Sequence, residues 1–213
     1  MREFYLEDKE GRTYQPSKIV CVGQNYLAHI RELGNEVPPE PVIFLKPPSA
    51  LIGDGEQIIL PELSNEVHYE GELAVVVLER ISKAKASDFP NMVLGYTCAN
   101  DVTARDLQRK DGQWTRSKGF DTFCPVGPVI VREIDPCSAQ IICRVNGEIK
   151  QDGNSSDMIR GVPELIEFIS AVMTLYPGDL ILTGTPPGVG ELHRGDVVEV
   201  EIPGIGILRN TVV

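Results

Sequence analysis

Glu70 and Glu72 stand two residues apart at the head of an apolar, β-branched run, Leu73-Ala74-Val75-Val76-Val77-Leu78. A run of that kind reads as a buried strand. Alternate side chains of a strand share a face, which puts both carboxylates in phase with Ala74, Val76 and Leu78. Two ionised groups buried without partners would be strongly destabilising. A divalent cation between them relieves that cost, and so does a strand that emerges into water just before Ala74. A second pairing is His29 with Glu32, three residues apart on a short helical stretch and within side-chain reach. A His that hands one ring nitrogen to a carboxylate is held in one tautomer and becomes a better base. The same spacing also serves an ordinary surface pair. Asp101 ends an apolar strand over residues 95–100 and precedes a helical turn over 103–108, where Asp is a common N-cap. It can cap and ligate only through different oxygens. Lys118 lies in a loop over residues 113–121 that mixes bases with the only Trp, and its ordinary reading is a solvated Lys beside a packed aromatic.

The 213 residues are enough to bury a sizeable core as one domain with a small appendage. With 20 Lys plus Arg against 31 Asp plus Glu, the net charge of -11 argues against nucleic acid or an anionic membrane as partner. An acidic protein with an acidic substrate needs local positive charge at its site. No apolar run approaches the ~20 residues of a membrane span. The start, Met1-Arg2-Glu3-Phe4, lacks the apolar region of a signal peptide, so a cytoplasmic location is expected. The five Cys form an odd set without a CxxC pair and read as small buried residues of a reducing compartment.

The elements that must position these groups follow from periodicity and turn residues. Residues 1–17 suggest a small N-terminal segment with a short strand pair around Gly11, and residues 18–213 read as one α+β, mostly β domain. A buried strand over 18–23 ends in Gly23. The pattern then predicts a helix over 25–33 with Asn25 as N-cap, Tyr26, Ile30 and Leu33 as its apolar stripe, and Gly34 as its stop. The Pro-rich loop over 35–41 after it suits that helix to act as a lid. Residues 42–60 read as strand, turn, strand, and 82–92 as a polar helical connector. Asn146-Gly147 marks a type I′ hairpin. One longer amphipathic helix starts near Pro163, with Val162, Leu165, Ile166, Ile169, Val172 and Met173 as its core face. The stretch from Thr183 to Gly190 is a strand end running into a glycine-rich turn. It lacks the GxxxxGK[ST] pattern of a phosphate loop, and serves either as an anion-facing set of N–H groups or as a plain structural turn. Two strands, 196–202 and 205–213, close the chain.

In order along the chain, His29-xx-Glu32, Phe44-Leu45-Lys46-Pro47, Glu70-x-Glu72-Leu73-Ala74-Val75, Asn100-Asp101-Val102-Thr103-Ala104-Arg105-Asp106, Lys118-x-Phe120-Asp121 and Thr183-Gly184-Thr185-Pro186-x-Gly188-Val189-Gly190 resemble the fumarylacetoacetate hydrolase family. The resemblance runs from about Lys18 to the C-terminus and points to the short, single-domain branch. That branch includes acylpyruvases, oxaloacetate decarboxylases or tautomerases, and hydroxyheptadienedioate isomerases. The resemblance implies a mixed β-roll or sandwich with a few short helices, a homodimer, and Mg²⁺ or Mn²⁺ in the site, with Ca²⁺ able to stand in for them in crystals. It implies Glu70, Glu72 and Asp101 as metal ligands, and His29 with Glu32 as an acid–base dyad on a lid. It implies Lys118 as the stabiliser of developing negative charge, and Arg105, Gln108 and the backbone near Thr185 as substrate contacts. Gly119 after Lys118, and Leu78-Glu79-Arg80 after the glutamate strand, depart from commoner residues without touching these positions.

Three carboxylates on a small hard cation leave coordination positions open for a 2-oxo acid. With such an ion they sum to one negative charge, so Lys118 and Arg105 are needed nearby to admit an anion. The expected reaction is metal-dependent C–C hydrolysis of small 2,4-dioxo acids of the acylpyruvate type through an enolate. The alternatives are isomerisation, tautomerisation or decarboxylation of a 2-oxo dicarboxylate, and, in another class, a domain that only binds metal or oxo acid. A second Arg in the distal pocket would favour a dicarboxylate, and an apolar distal pocket an acylpyruvate.

Overall fold

The computed structural model describes residues 4–213, so Met1, Arg2 and Glu3 of the N-terminal segment lie outside the described residues. Most regular structure is β, in one seven-stranded and one five-stranded sheet with two small accessory sheets. The seven-stranded sheet runs, edge to edge, Val42–Lys46, Ile19–Gly23, Leu180–Leu182, Gly71–Val77, Val93–Asn100, Cys124–Val131 and Leu51–Ile52. It is mixed: Leu180–Leu182 pairs parallel with Ile19–Gly23 and antiparallel with Gly71–Val77. The five-stranded sheet runs Glu148–Asn154, Gln140–Val145, Val197–Ile202, Gly206–Val212 and Gln57–Ile58. Leu6–Glu7 and Thr13–Tyr14 form the expected short pair near the N-terminus.

The strand Gly71–Val77 is buried along its whole length because both faces of its sheet are covered. Leu73, Val75 and Val77 join the larger core, which also takes Ile141, Cys143, Val198 and Val200 from the five-stranded sheet. Ala74 and Val76 belong to a second, smaller cluster with Ile19, Cys21, Ala99, Leu180 and Leu182. Alternation therefore puts Glu70 and Glu72 on the side of this smaller cluster. Leu78, expected in the same row, lies just beyond the strand and is only partly buried.

The long helix spans Val162–Val172 and buries Val162, Leu165, Ile166, Ile169 and Ser170. Val172 departs from the expected core face, being 60% exposed, and Met173 is extended backbone past the helix end. The expected apolar face fails at Val172 alone, whereas Met173 still packs against the larger core. The connector around residue 86 is a 3₁₀ helix, Ala86–Asn91, with no buried residue. Asn146 and Gly147 both have positive φ, as a type I′ turn requires. Four of the five Cys are buried, whereas Cys137 is exposed, and all five are free. Among the described residues no helix is long and apolar enough to cross a membrane.

The helix correction is measurable. Leu165→Ala should destabilise the protein by about 2–5 kcal/mol, as truncation in a packed core does. Val172→Ala should stay within about 0.5 kcal/mol of wild type, as exposed substitutions do. Urea unfolding of the two variants checks this, and a large loss at Val172 would return it to the core face.

Candidate active site

Strand register sets the carboxylate geometry. Gly71 pairs with Asn100 and Glu72 with Ala99, and the Asp101 amide donates to the Glu70 carbonyl at 2.8 Å. Asp101 therefore stands across from Glu70, with Glu72 two residues along the same face. All three are buried, and one carboxylate oxygen from each lies within 4.8 Å of the others. Asp101 is not an N-cap: the next helix spans Arg105–Asp111, its cap position is Ala104, and it has no side-chain cap.

Three buried cations face these acids. The Lys118 ammonium donates to Glu70 Oε2 at 2.8 Å and to Asp101 Oδ2 at 2.6 Å. Arg105 pairs with Glu70 through Nη2, and its Nη1 donates to Gln108 Oε1 at 2.5 Å. Lys46 donates to Asp101 Oδ1 at 2.6 Å and to the Val102 carbonyl at 3.0 Å. The stretch around Lys118 is not a loop throughout but contains a short helix, Thr115–Lys118, whose last residue carries the ammonium into the cluster. Phe44 lies beneath that ammonium at 5.0 Å and meets Trp114 edge-on.

Lys46 is the residue that sequence reasoning passed over. It ends the strand Val42–Lys46, where a terminal Lys is ordinarily read as turning out to water. The available signal was its phase: Phe44 and Lys46 share a face, and Phe44 packs against the smaller cluster.

Glu72 differs from its neighbours. It forms no salt bridge among the described residues, and its Oε2 accepts only from the Gly184 amide, at 2.7 Å. Burial, and then the charges of Asp101 and Glu70, push its carboxyl well above the usual range. Burial alone would also raise Glu70, but Lys118, Arg105 and His29 outweigh it and hold that carboxyl low. Burial would lower Lys118, but Asp101 and Glu70 hold its ammonium above the usual range. Three clustered hard oxygen donors, one of them without a cation of its own, fit a divalent metal ion.

The His29 helix is shorter than expected, Leu27–Glu32, with Tyr26 at its cap position. Asn25 does not cap it. Its side chain instead spans to Thr183 O at 2.8 Å and Arg160 O at 3.0 Å, and accepts from the Arg160 amide. Leu33, expected in the buried stripe with Tyr26 and Ile30, is 39% exposed. His29 is buried, and its Nδ1 lies 3.0 Å from Glu32 Oε2. The other Glu32 oxygen accepts from the Gly188 amide at 3.0 Å, so the glycine-rich turn docks the helix end. His29, Glu70, Glu72, Asp101, Arg105, Gln108, Lys118 and Thr185 all line one cleft with Val22, Gln24, Phe44 and Trp114. The Thr185 hydroxyl donates to Gly71 O at 2.9 Å and accepts from Gln151 Nε2 at 2.7 Å.

This fold and this cleft define a β-rich enzyme class. Residues 18–213 match the family described as fumarylacetoacetate (FAA) hydrolase C-terminal, and the chain belongs to that family. It is 49% identical over 211 residues to a bovine (Bos taurus) protein named mitochondrial oxaloacetate tautomerase, covering 93% of this chain and 67% of that one. The structure of a 2-hydroxyhepta-2,4-diene-1,7-dioate isomerase from Mycobacterium marinum is similar, with TM-score 0.87 and 46% identity, covering 99% of this chain and 86% of that one. A fumarylpyruvate hydrolase from Pseudomonas aeruginosa, solved with Mn²⁺ and pyruvate, has TM-score 0.93 and 32% identity, covering 100% and 97%. The chain is therefore an enzyme of a family that includes hydrolases, isomerases and tautomerases.

The raised carboxyl of Glu72 carries a prediction. A carboxyl with a raised folded-state pKa lends stability at low pH that is lost as pH rises through that value. Glu72→Gln removes this loss. In chelator at pH 7–8 its melting temperature should exceed that of wild type by at least ~2 °C, the shift that about 1 kcal/mol gives in a domain of this size. Near pH 4, where both side chains are neutral, the two should melt together. Equal melting at both pH values would show that Glu72 is not strained by its neighbours.

Proposed function

We propose that the protein catalyses proton transfer between the keto and enol forms of a small dianionic 2-oxo acid of the oxaloacetate type. The observation that carries this reading is the buried charge balance beneath the His29–Glu32 pair. Lys46, Arg105 and Lys118 equal Glu70, Glu72 and Asp101 in number, although their ion pairs reach only Glu70 and Asp101. A divalent ion on the three carboxylates leaves two positive charges in excess, which a dianion neutralises.

In this reading Glu70, Glu72 and Asp101 hold the ion, Mg²⁺ or Mn²⁺. When bound, it supplies Lewis-acid polarisation of the 2-oxo group. Arg105 and Gln108, with the backbone at Thr185, hold the carboxylate end of the substrate. Glu32 fixes His29 with its Nδ1 proton shared, leaving Nε2 to take the proton from C3 of the keto form while the 2-oxygen takes one from solvent, and the enol-to-keto direction reverses both transfers. Lys118 stabilises the negative charge that gathers on the 2-oxygen as the enolate forms. A homodimer and a cytoplasmic location, expected from the resemblance and the sequence, are part of the proposal, as is residues 18–213 as the catalytic unit with residues 1–17 as an appendage.

One observation favours a second reading, the C–C hydrolysis of acylpyruvate-type 2,4-dioxo acids. Val22, Leu33, Phe44 and Trp114 also line the cleft, and among the described residues no Arg besides Arg105 lines it. Those side chains suit an apolar acyl tail.

An ultraviolet assay separates the two. With Mn²⁺, the enol absorbance of oxaloacetate should decay faster than without enzyme, with neither CO₂ nor cleavage product, and chelator should abolish the effect. Cleavage of acetylpyruvate with no action on oxaloacetate would move the protein to the hydrolase reading. His29→Asn should lower the rate by about 10²–10⁴, the usual worth of a positioned acid–base group. Its Mn²⁺ affinity should stay at the wild-type value in calorimetry. A wild-type rate in this variant would remove His29 from the chemistry.

A further inference from the structure

Gln151 lies on the strand Glu148–Asn154 of the five-stranded sheet, away from the strands that carry the acids, and is 1% exposed. A buried amide is expensive unless its donors and acceptor are used. Here all are used: Thr185 lines the cleft, and Gly71 and Pro186 are chain neighbours of residues that line it. Its Oε1 accepts from the Gly71 amide at 2.9 Å, and Gly71 is the residue between Glu70 and Glu72. Its Nε2 donates to Thr185 Oγ1 and to the Pro186 carbonyl, both at 2.7 Å.

The turn that contains Thr185 and Pro186 connects the two halves of the site. At one end Gly184 N donates to Glu72, and at the other Gly188 N donates to Glu32, the partner of His29. The turn lies directly on the strand of Gln151. A Cβ at Gly188 would stand 2.1 Å from the Lys150 carbonyl, and one at Gly153 would stand 2.4 Å from the Pro186 side chain. Gly188 also has φ +100°, so glycine is required there for both reasons.

We propose that Gln151 is the positioning residue that holds the carboxylate strand and the glycine-rich turn in one register, and through them the metal ligands and the acid–base dyad. Its two ends divide the work. The acceptor end holds Gly71 and hence the spacing of Glu70 and Glu72. The donor end holds Thr185 and Pro186 and hence the seat of Glu32. This inference rests on the reading that the three carboxylates bind a divalent ion.

Two variants separate the ends. Gln151→Met keeps the length and loses both hydrogen-bonding ends. Gln151→Glu keeps the shape and the acceptor for Gly71 N–H but not the two donors. Mn²⁺ binding by calorimetry needs no substrate, and oxaloacetate tautomerisation supplies kcat and KM. For Gln151→Met, Mn²⁺ Kd should rise and kcat should fall, each by about 10–100-fold, the range seen when a partner of a metal ligand is lost. For Gln151→Glu, Mn²⁺ Kd should stay within about threefold of wild type while kcat falls about 10-fold or more with KM little changed. Should Gln151→Met fail to fold, the split in Gln151→Glu alone decides. Variants that melt lower yet keep wild-type Mn²⁺ Kd and kcat would reduce Gln151 to packing and overturn the proposal. Equal loss of Mn²⁺ affinity and kcat in Gln151→Glu would overturn the division between its ends. A wild type that takes up no Mn²⁺ would refute the metal reading itself, and the proposal with it.

Discussion

The constraint on which the rest depends is the burial of three carboxylates in one small space. Glu70, Glu72 and Asp101 are each no more than 5% exposed, and like charges this close repel strongly where water is excluded. Any fold that holds them must bring compensating charge, and here it comes from three separate places. Lys46 arrives from an edge strand, Arg105 from the helix after Asp101, and Lys118 from a short helix further on. The architecture around the cleft can be read as the means of delivering those three cations. Glu72 is the acid left with a backbone amide alone, and its raised proton affinity marks where compensation is incomplete.

The same constraint reaches the smaller cluster. Cys21, Ala74 and Ala99 are small, and they share a cluster with Leu180 and Leu182 on the carboxylate side of the sheet. Cys21 lies close enough to Asp101 and Lys46 to feel their charges. The larger cluster, on the other face of the same strand, uses Leu73, Val75, Val77 and the face of the long helix. One strand thus serves two interiors of different character, and the two-residue alternation of its side chains keeps them apart.

That alternation is also why so much of the site was legible in the sequence. Two Glu in phase with Ala74 and Val76 point either to a cation or to a strand that emerges into water, and His29 with Glu32 either to a base with a partner or to an ordinary surface pair. Asn146-Gly147 announced its hairpin. What escaped was long-range and depended on depth. Lys46 shares a face with Phe44, but whether a strand-end Lys turns out to water or inward depends on what lies beneath the sheet. Asn25 has the residue type of a helix cap, but tertiary partners at Thr183 and Arg160 took its side chain instead. In each case a local preference was plausible and a distant contact decided the outcome.

The helix that carries His29 shows how the site gains order without a large lid. At its start Asn25 is tied to residues 160 and 183, and at its end Glu32 is tied to the amide of Gly188. Glu32 orients His29 and also accepts from Gly188 at one end of the glycine-rich turn, while Gly184 at its other end serves Glu72. His29 and the carboxylate cluster, on separate elements, are in this way tied through Glu32 and Glu72 to one short piece of backbone. Proton transfer at carbon depends on the distance between base and carbon, and the charge left behind depends on cations already in place. A single turn that answers to both demands lets the base and the cluster keep one geometry.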